Sequence, residues 1–245
     1  MTRSLQVWWV YQSSNKQIDV PLDMITPKFL ISMLAMLMLS FSQAWASHGD
    51  PSMGRVLAGP CESCHGKGGE NKNEGIPNLS GQKFNYLVKQ LREMRQSARI
   101  RAGEEEYSDT GFRALSRARR SNEVMDELVV KMSDHDIADV SAFYADQKCH
   151  ADFNVLPVAP PKFEVRCRVC HGNLGIANVL NVPNIAGQDV SYLEAQLKSF
   201  QAGKVLEGDG QEKRRAAIME GQVKNLTDDD IKQVSIYYAR LPCGY

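Results

Sequence analysis

The chain has 245 residues, 43% of them hydrophobic, and its 29 basic side chains are balanced by 29 acidic ones. The hydrophobic fraction lies in the normal globular range, and the absence of net charge argues against nucleic acid as a partner. No segment has the apolar length needed to cross a membrane, one partial exception near the start aside.

That exception runs from Phe29 to Phe41, follows Lys28 and precedes Ala44-Trp45-Ala46. A positive flank, a short apolar run and an A-x-A site read as a secretory signal peptide cleaved after Ala46. Met1 to Asp23 is polar and aromatic and fits no such flank, and Met24 would open a more usual signal, so residues 1–46 read as a signal peptide with a doubtful N-terminal extension. An uncleaved anchor is the alternative reading. Cleavage would leave 199 residues from Ser47, enough for two domains of about 100 residues each.

Next comes Cys61-Glu62-Ser63-Cys64-His65-Gly66, and the pattern returns as Cys167-Arg168-Val169-Cys170-His171-Gly172. C-x-x-C-H is the attachment signature of c-type haem. Thiols separated by two residues can reach both vinyl groups of one porphyrin, and the following histidine then lies under the iron as its proximal ligand. A zinc ribbon would hold its cysteine pairs about 15–20 residues apart, whereas these lie 106 apart. A thioredoxin-like redox pair needs a βαβ pattern that is not visible. Two copies imply two covalently bound haem c groups, each supplying apolar filling to a domain small for an unaided core. Attachment outside the cytoplasm agrees with the export signal.

A shift of 106 carries Pro77-Asn78-Leu79 onto Pro183-Asn184-Ile185, Gly81-Gln82 onto Gly187-Gln188, and Tyr86-Leu87 onto Tyr192-Leu193. Beyond Leu91 the shift becomes 94, carrying Met125 onto Met219, Ile137 onto Ile231, Phe143-Tyr144-Ala145 onto Tyr237-Tyr238-Ala239, and Cys149 onto Cys243. The first copy is therefore longer by 12 residues within Arg92–Arg120, a stretch rich in arginine and glutamate. This reads as a solvated loop or a helix extension, with partner docking as an alternative.

Each copy predicts three main helices and no strand. The first runs into the haem motif and in copy one has Asp50 as its cap and Pro51 in its first turn. The second carries Phe84, Leu87, Val88 and Leu91, matched by Tyr192, Leu193 and Leu197. The third opens on a capping box, Ser133-x-x-Asp136 or Thr227-x-x-Asp230, with Ile137, Val140 and Tyr144 or Ile231, Val234, Tyr238 and Leu241 behind it as a core stripe. The proline-rich segment 156–161 reads as a stiff linker. The domains are then 47–155 and 156–245.

A six-coordinate haem needs a distal ligand as well. After His171 the second copy offers no further histidine and a single methionine, Met219, whose repeat partner is Met125. Met94, Met132, His135 and His150 are rivals in the first copy, but their counterparts cannot ligate, which favours core roles for the methionines and solvation for His135. A thioether favours ferrous iron and a high potential, which suits a carrier. The carbonyls of Pro77 and Pro183 are candidates to accept the Nδ1 proton of the ligating histidines.

These motifs resemble the class I cytochrome c family, and the duplicated form is similar to the dihaem cytochrome c4 family across nearly all of the mature chain. The resemblance implies an all-α fold of two tandem domains about a pseudo-twofold axis, with the haem propionate edges near each other. It also implies His/Met ligation by His65, Met125, His171 and Met219, with thioethers at Cys61, Cys64, Cys167 and Cys170. The role implied is periplasmic electron transfer between redox protein partners, from quinol:cytochrome c reductase towards terminal oxidases, by a soluble or loosely membrane-associated protein without enzymatic activity. A haem subunit of a larger dehydrogenase, or a dihaem enzyme such as a thiosulfate dehydrogenase or peroxidase, is the alternative. Cys149 and Cys243 are outside the family pattern. In an oxidising compartment they could bridge within the chain, remain free or link two chains.

Overall fold

Asp50 and Pro51 begin the first helix as their chemistry requires. The Asp50 carboxylate accepts from Ser52 N at 2.8 Å, and Pro51, which has no N–H to leave unsatisfied, occupies the first turn. The computed structural model describes residues 48–71, 73–104, 120–150, 159–203 and 213–243, all within one compact unit, Ala46–Tyr245. The expected signal peptide, the start of the linker and residues 105–119 of the stretch that holds the 12 extra residues lie outside the described residues.

The helices of the first copy are α1 (Pro51–Leu57), α2 (Gly59–His65), α3 (Phe84–Arg101), α4 (Glu123–Val129) and α5 (Asp134–Asp146). Those of the second are α6 (Glu164–His171), α7 (Val190–Ala202), α8 (Ala217–Val223) and α9 (Asp228–Ala239). The single helix expected before Cys61 is broken at Ala58, because Pro60 tolerates only a first turn. The short helices α4 and α8, which carry Met125 and Met219, are additions to the three helices that periodicity predicts. Seven residues give too few apolar repeats to register as a pattern.

Both capping boxes form, with Ser133 and Asp136 satisfying each other's backbone N–H groups and Thr227 and Asp230 doing the same. Behind them, Ile137 and Ile231 are fully buried. Each copy has its own apolar core. Leu87, Val140, Phe143 and Tyr144 pack together in the first, and Leu193, Val234, Tyr237 and Tyr238 in the second. The expected core methionines behave as such, since Met94 is buried and Met132 packs against the first core. His135 is exposed.

The copies meet along a polar seam. Asn78 N donates to Gln188 Oε1 (2.7 Å), and Gln188 Nε2 returns the bond to Asn78 O (3.0 Å). Asn184 N donates to Gln82 Oε1 (2.9 Å), and Gln82 Nε2 returns it to Asn184 O (2.8 Å). Asn78 Nδ2 reaches Gly187 O and Asn184 Nδ2 reaches Gly81 O, at 2.9 and 3.2 Å. Six bonds related pairwise are what a twofold axis produces when each side contributes an amide that both donates and accepts. A two-residue antiparallel ladder, Arg120 opposite Arg214 and Ser121 opposite Lys213, also crosses the seam. It is the one departure from the all-helical expectation among the described residues.

Cys149 and Cys243 form an intramolecular disulfide with Cα atoms 5.7 Å apart, which decides among the alternatives left open above. Glycine at 187 leaves room for it: a Cβ there would lie 2.6 Å from Cys243 Cβ.

Candidate haem sites

In each copy the haem motif ends a helix on the proximal histidine candidate. His65 and His171 are both 6% exposed. His65 Nδ1 lies 2.9 Å from Pro77 O and His171 Nδ1 lies 3.0 Å from Pro183 O, as the sequence suggests. A carbonyl can only accept, so Nδ1 carries the proton and Nε2 is left as the coordinating nitrogen. Burial lowers both histidine pKa values, against the raising effect of the proline carbonyls. The neutral imidazole is the form that binds metal.

The glycine after each histidine is dictated by the turn. Gly66 and Gly172 have φ of 76° and 79°, and a Cβ there would meet a carbonyl oxygen, of Glu70 at 2.0 Å or of Ile176 at 2.1 Å. The chain can then double back so that Pro77 or Pro183 faces the imidazole.

Cys61 and Cys167 are half-buried against the two cores, and Cys64 and Cys170 are exposed. All four thiols are unbridged. Burial pushes the Cys167 thiol up to about 11 and raises that of Cys61. Met125 and Met219 are half-buried on α4 and α8. Asn122 caps α4 by accepting from Met125 N at 3.1 Å. One residue earlier, Val124 and Ile218 are 63% and 72% exposed. Large apolar side chains in such positions fit a site that an apolar group covers. Unbridged thiol pairs, neutral buried imidazoles and apolar flanks are together the donor set and the surface that haem c requires.

Between the sites lies a cluster that periodicity could not reveal. Arg120 donates to Gln90 Oε1 (3.0 Å) and to the Tyr192 hydroxyl of the other copy (2.9 Å). Arg214 donates to Gln196 Oε1 (2.7 Å) and, across the seam, to the Tyr86 hydroxyl (2.5 Å) and Gln90 Oε1 (2.9 Å). Both arginines are buried. Each lowers the pKa of the histidine in its own haem motif, so their charge is felt at the sites. The repeated Tyr and Gln of the Y-L-x-x-Q-L pattern were a visible signal, because polar residues duplicated on a core-facing helix need partners.

Glu93 sits beside this cluster, 3.4 Å from Lys89 Nζ, with its side chain 14% exposed. Burial pushes its carboxyl up to about 7, against the pull of Lys89, Arg214 and Arg120. Above the usual carboxylate range, the folded protein therefore holds a proton that the unfolded chain releases. Stability present at low pH is lost as pH rises towards 7, by about 3 kcal/mol at most. Replacing Glu93 with glutamine is expected to flatten this slope. Urea unfolding midpoints at pH 5 and pH 7.5 check it, and equal pH slopes in parent and variant would contradict it.

Two all-α halves, each presenting C-x-x-C-H with its histidine seated on a proline carbonyl, define a dihaem c-type cytochrome, a protein of electron transfer. The sequence family described as Cytochrome c matches residues 162–241. Cytochrome c4 of Pseudomonas aeruginosa is 28% identical over 86% of this chain and 96% of its own length. Cytochrome c-554(548) of Halomonas halodenitrificans is 35% identical over 30% of this chain and 81% of its own. The crystal structure of reduced recombinant cytochrome c4 from Pseudomonas stutzeri superimposes with a TM-score of 0.58 at 27% identity, covering 79% of this chain and 99% of that one. The chain belongs to the cytochrome c family, in its two-haem cytochrome c4 branch.

Proposed function

We propose that this protein is exported, with residues 47–155 and 156–245 as its two haem domains, and that it relays electrons between respiratory complexes in the periplasm. Cys61 and Cys64, and Cys167 and Cys170, form the thioethers; His65 and His171 are the proximal ligands and Met125 and Met219 the distal ones. The observation that carries this reading is the matched pair of buried histidines, each donating from Nδ1 to the carbonyl of a repeated proline. When bound, haem c supplies a reversible one-electron change at iron.

The chain's own residues tune that change. Pro77 and Pro183 orient the imidazoles and raise their basicity. The thioethers of Met125 and Met219 would favour the reduced state and would leave no open position for small substrates. The buried guanidinium groups of Arg120 and Arg214 place positive charge between the sites, which also favours the electron-rich state. A thioether at each iron would favour a carrier over an enzyme. Export accords with the Cys149–Cys243 bridge, and among the described residues no helix is long and apolar enough to cross a membrane.

The test is to purify the exported protein, count haems per polypeptide and titrate them optically. Two acid-acetone-resistant, low-spin haems with two reversible one-electron steps are expected, on a chain beginning at Ser47. One haem, an extractable haem, or a high-spin ferric centre that turns over peroxide would replace the carrier by another reading.

A further inference from the structure

Among the described residues, the two copies differ in the length of their long helix. Helix α3 has 18 residues and its counterpart α7 has 13, so the first copy carries five more helical residues, ending on Arg101. Both methionine-bearing helices are fastened at their far end from the same position of the long helix. Arg95 Nη1 donates to Met132 O at 2.7 Å, and Gln201, its repeat partner, donates to Leu226 O at 2.7 Å and Val223 O at 3.1 Å.

The near end of each helix is held differently. Asp126, the residue after Met125, is fully buried. Its Oδ2 accepts from Arg101 Nη2 at 2.5 Å and from Ser121 Oγ at 2.8 Å, while Arg101 also donates to Ser121 Oγ. Asp126 Oδ1 is buried with no hydrogen-bond partner among the described residues. In the second copy the matching residue is Glu220. It pairs with Arg215 at 2.9 Å and accepts from Ala216 N at 3.1 Å, contacts that stay within its own segment. The first copy thus reaches across 25 residues to hold its helix where the second reaches across five.

We infer that Arg101 is a positioning residue for the distal ligand of the first haem: from the added helical turn, its guanidinium seats the start of α4, and with it Met125, through Asp126 and Ser121. The inference rests on Met125 being that ligand. A carboxylate this buried is stabilised by its partners. Without the guanidinium it is drawn towards water, and the first turn of α4 leaves its seat with it.

The experiment uses the oxidised two-haem protein and reads the weak far-red band of methionine-to-iron ligation together with both midpoint potentials. Met125→Ala sets the scale by removing half of the band. Arg101→Gln is expected to lose a comparable half and to lower one potential while the other stays. Arg101→Gln combined with Asp126→Asn is expected to restore both, because no unpaired charge is left buried. Should Arg101→Gln yield no holoprotein, Arg101→Lys stands in; it keeps the charge but not the fork, and partial loss of the same half is expected. A full band and unchanged potentials in Arg101→Gln or Arg101→Lys, with Met125→Ala losing its half, overturns the role of Arg101. A full band in Met125→Ala overturns the ligand reading instead, and the inference falls with it.

Discussion

Met219→Ala is expected to leave both haems covalently attached and to split the two potentials widely apart. Met219 is half-buried on a seven-residue helix outside the second apolar core, so its truncation removes little packing. On the proposed ligation, what it removes is the thioether of the second site. Axial ligands set haem potentials over about 0.8 V, and loss of the ligand that favours ferrous iron should lower the second potential by on the order of a few tenths of a volt. The second iron should become high-spin and open to added ligands, while the first retains its half of the far-red band. A spectroelectrochemical titration reads all of this. Two unaltered potentials would mean that the sulfur of Met219 is not on the iron.

The second large effect is expected from Cys149→Ser combined with Cys243→Ser. The bridge joins residues 94 apart in sequence. In the chain-entropy account, closing a loop of that size stabilises the fold by about 4–5 kcal/mol. For a protein near 200 residues, this corresponds to a fall in Tm of roughly 10–15 °C. The six amide bonds of the seam do not involve the sulfurs, so the halves should still dock. Their melting should become less cooperative, because nothing covalent then joins them near the axis. Calorimetry of the holoprotein, with and without a thiol reductant, checks it. An unchanged Tm would show that the non-covalent contacts of the seam hold the halves together without the bridge.

The duplication, the helices and the two capping boxes were legible in the sequence because each depends on residues close together in the chain. Asp50 before Pro51, or Ser133 before Asp136, carries its consequence within one helical turn. The proline carbonyl on each histidine was also legible, since it lies 12 residues from the ring and recurs in both copies. Periodicity missed the break at Ala58 and the helices of Met125 and Met219, because one-turn and two-turn elements are set by what packs on them.

By itself the amino-acid sequence determined that two copies of one helical haem-binding unit would form, each with its histidine, thiols and methionine at matching places. Tertiary structure alone decided how the copies join. The amides of Asn78, Gln82, Asn184 and Gln188 find partners 102 to 110 residues away, and the Tyr86 hydroxyl meets Arg214 across 128. Whether Cys149 would meet Cys243, and whether the added turn would place Arg101 on Asp126, depended in the same way on three-dimensional approach. Local preference acts over a turn or two, whereas a polar group finds its partner only after the chain has brought distant segments together and removed the water between them.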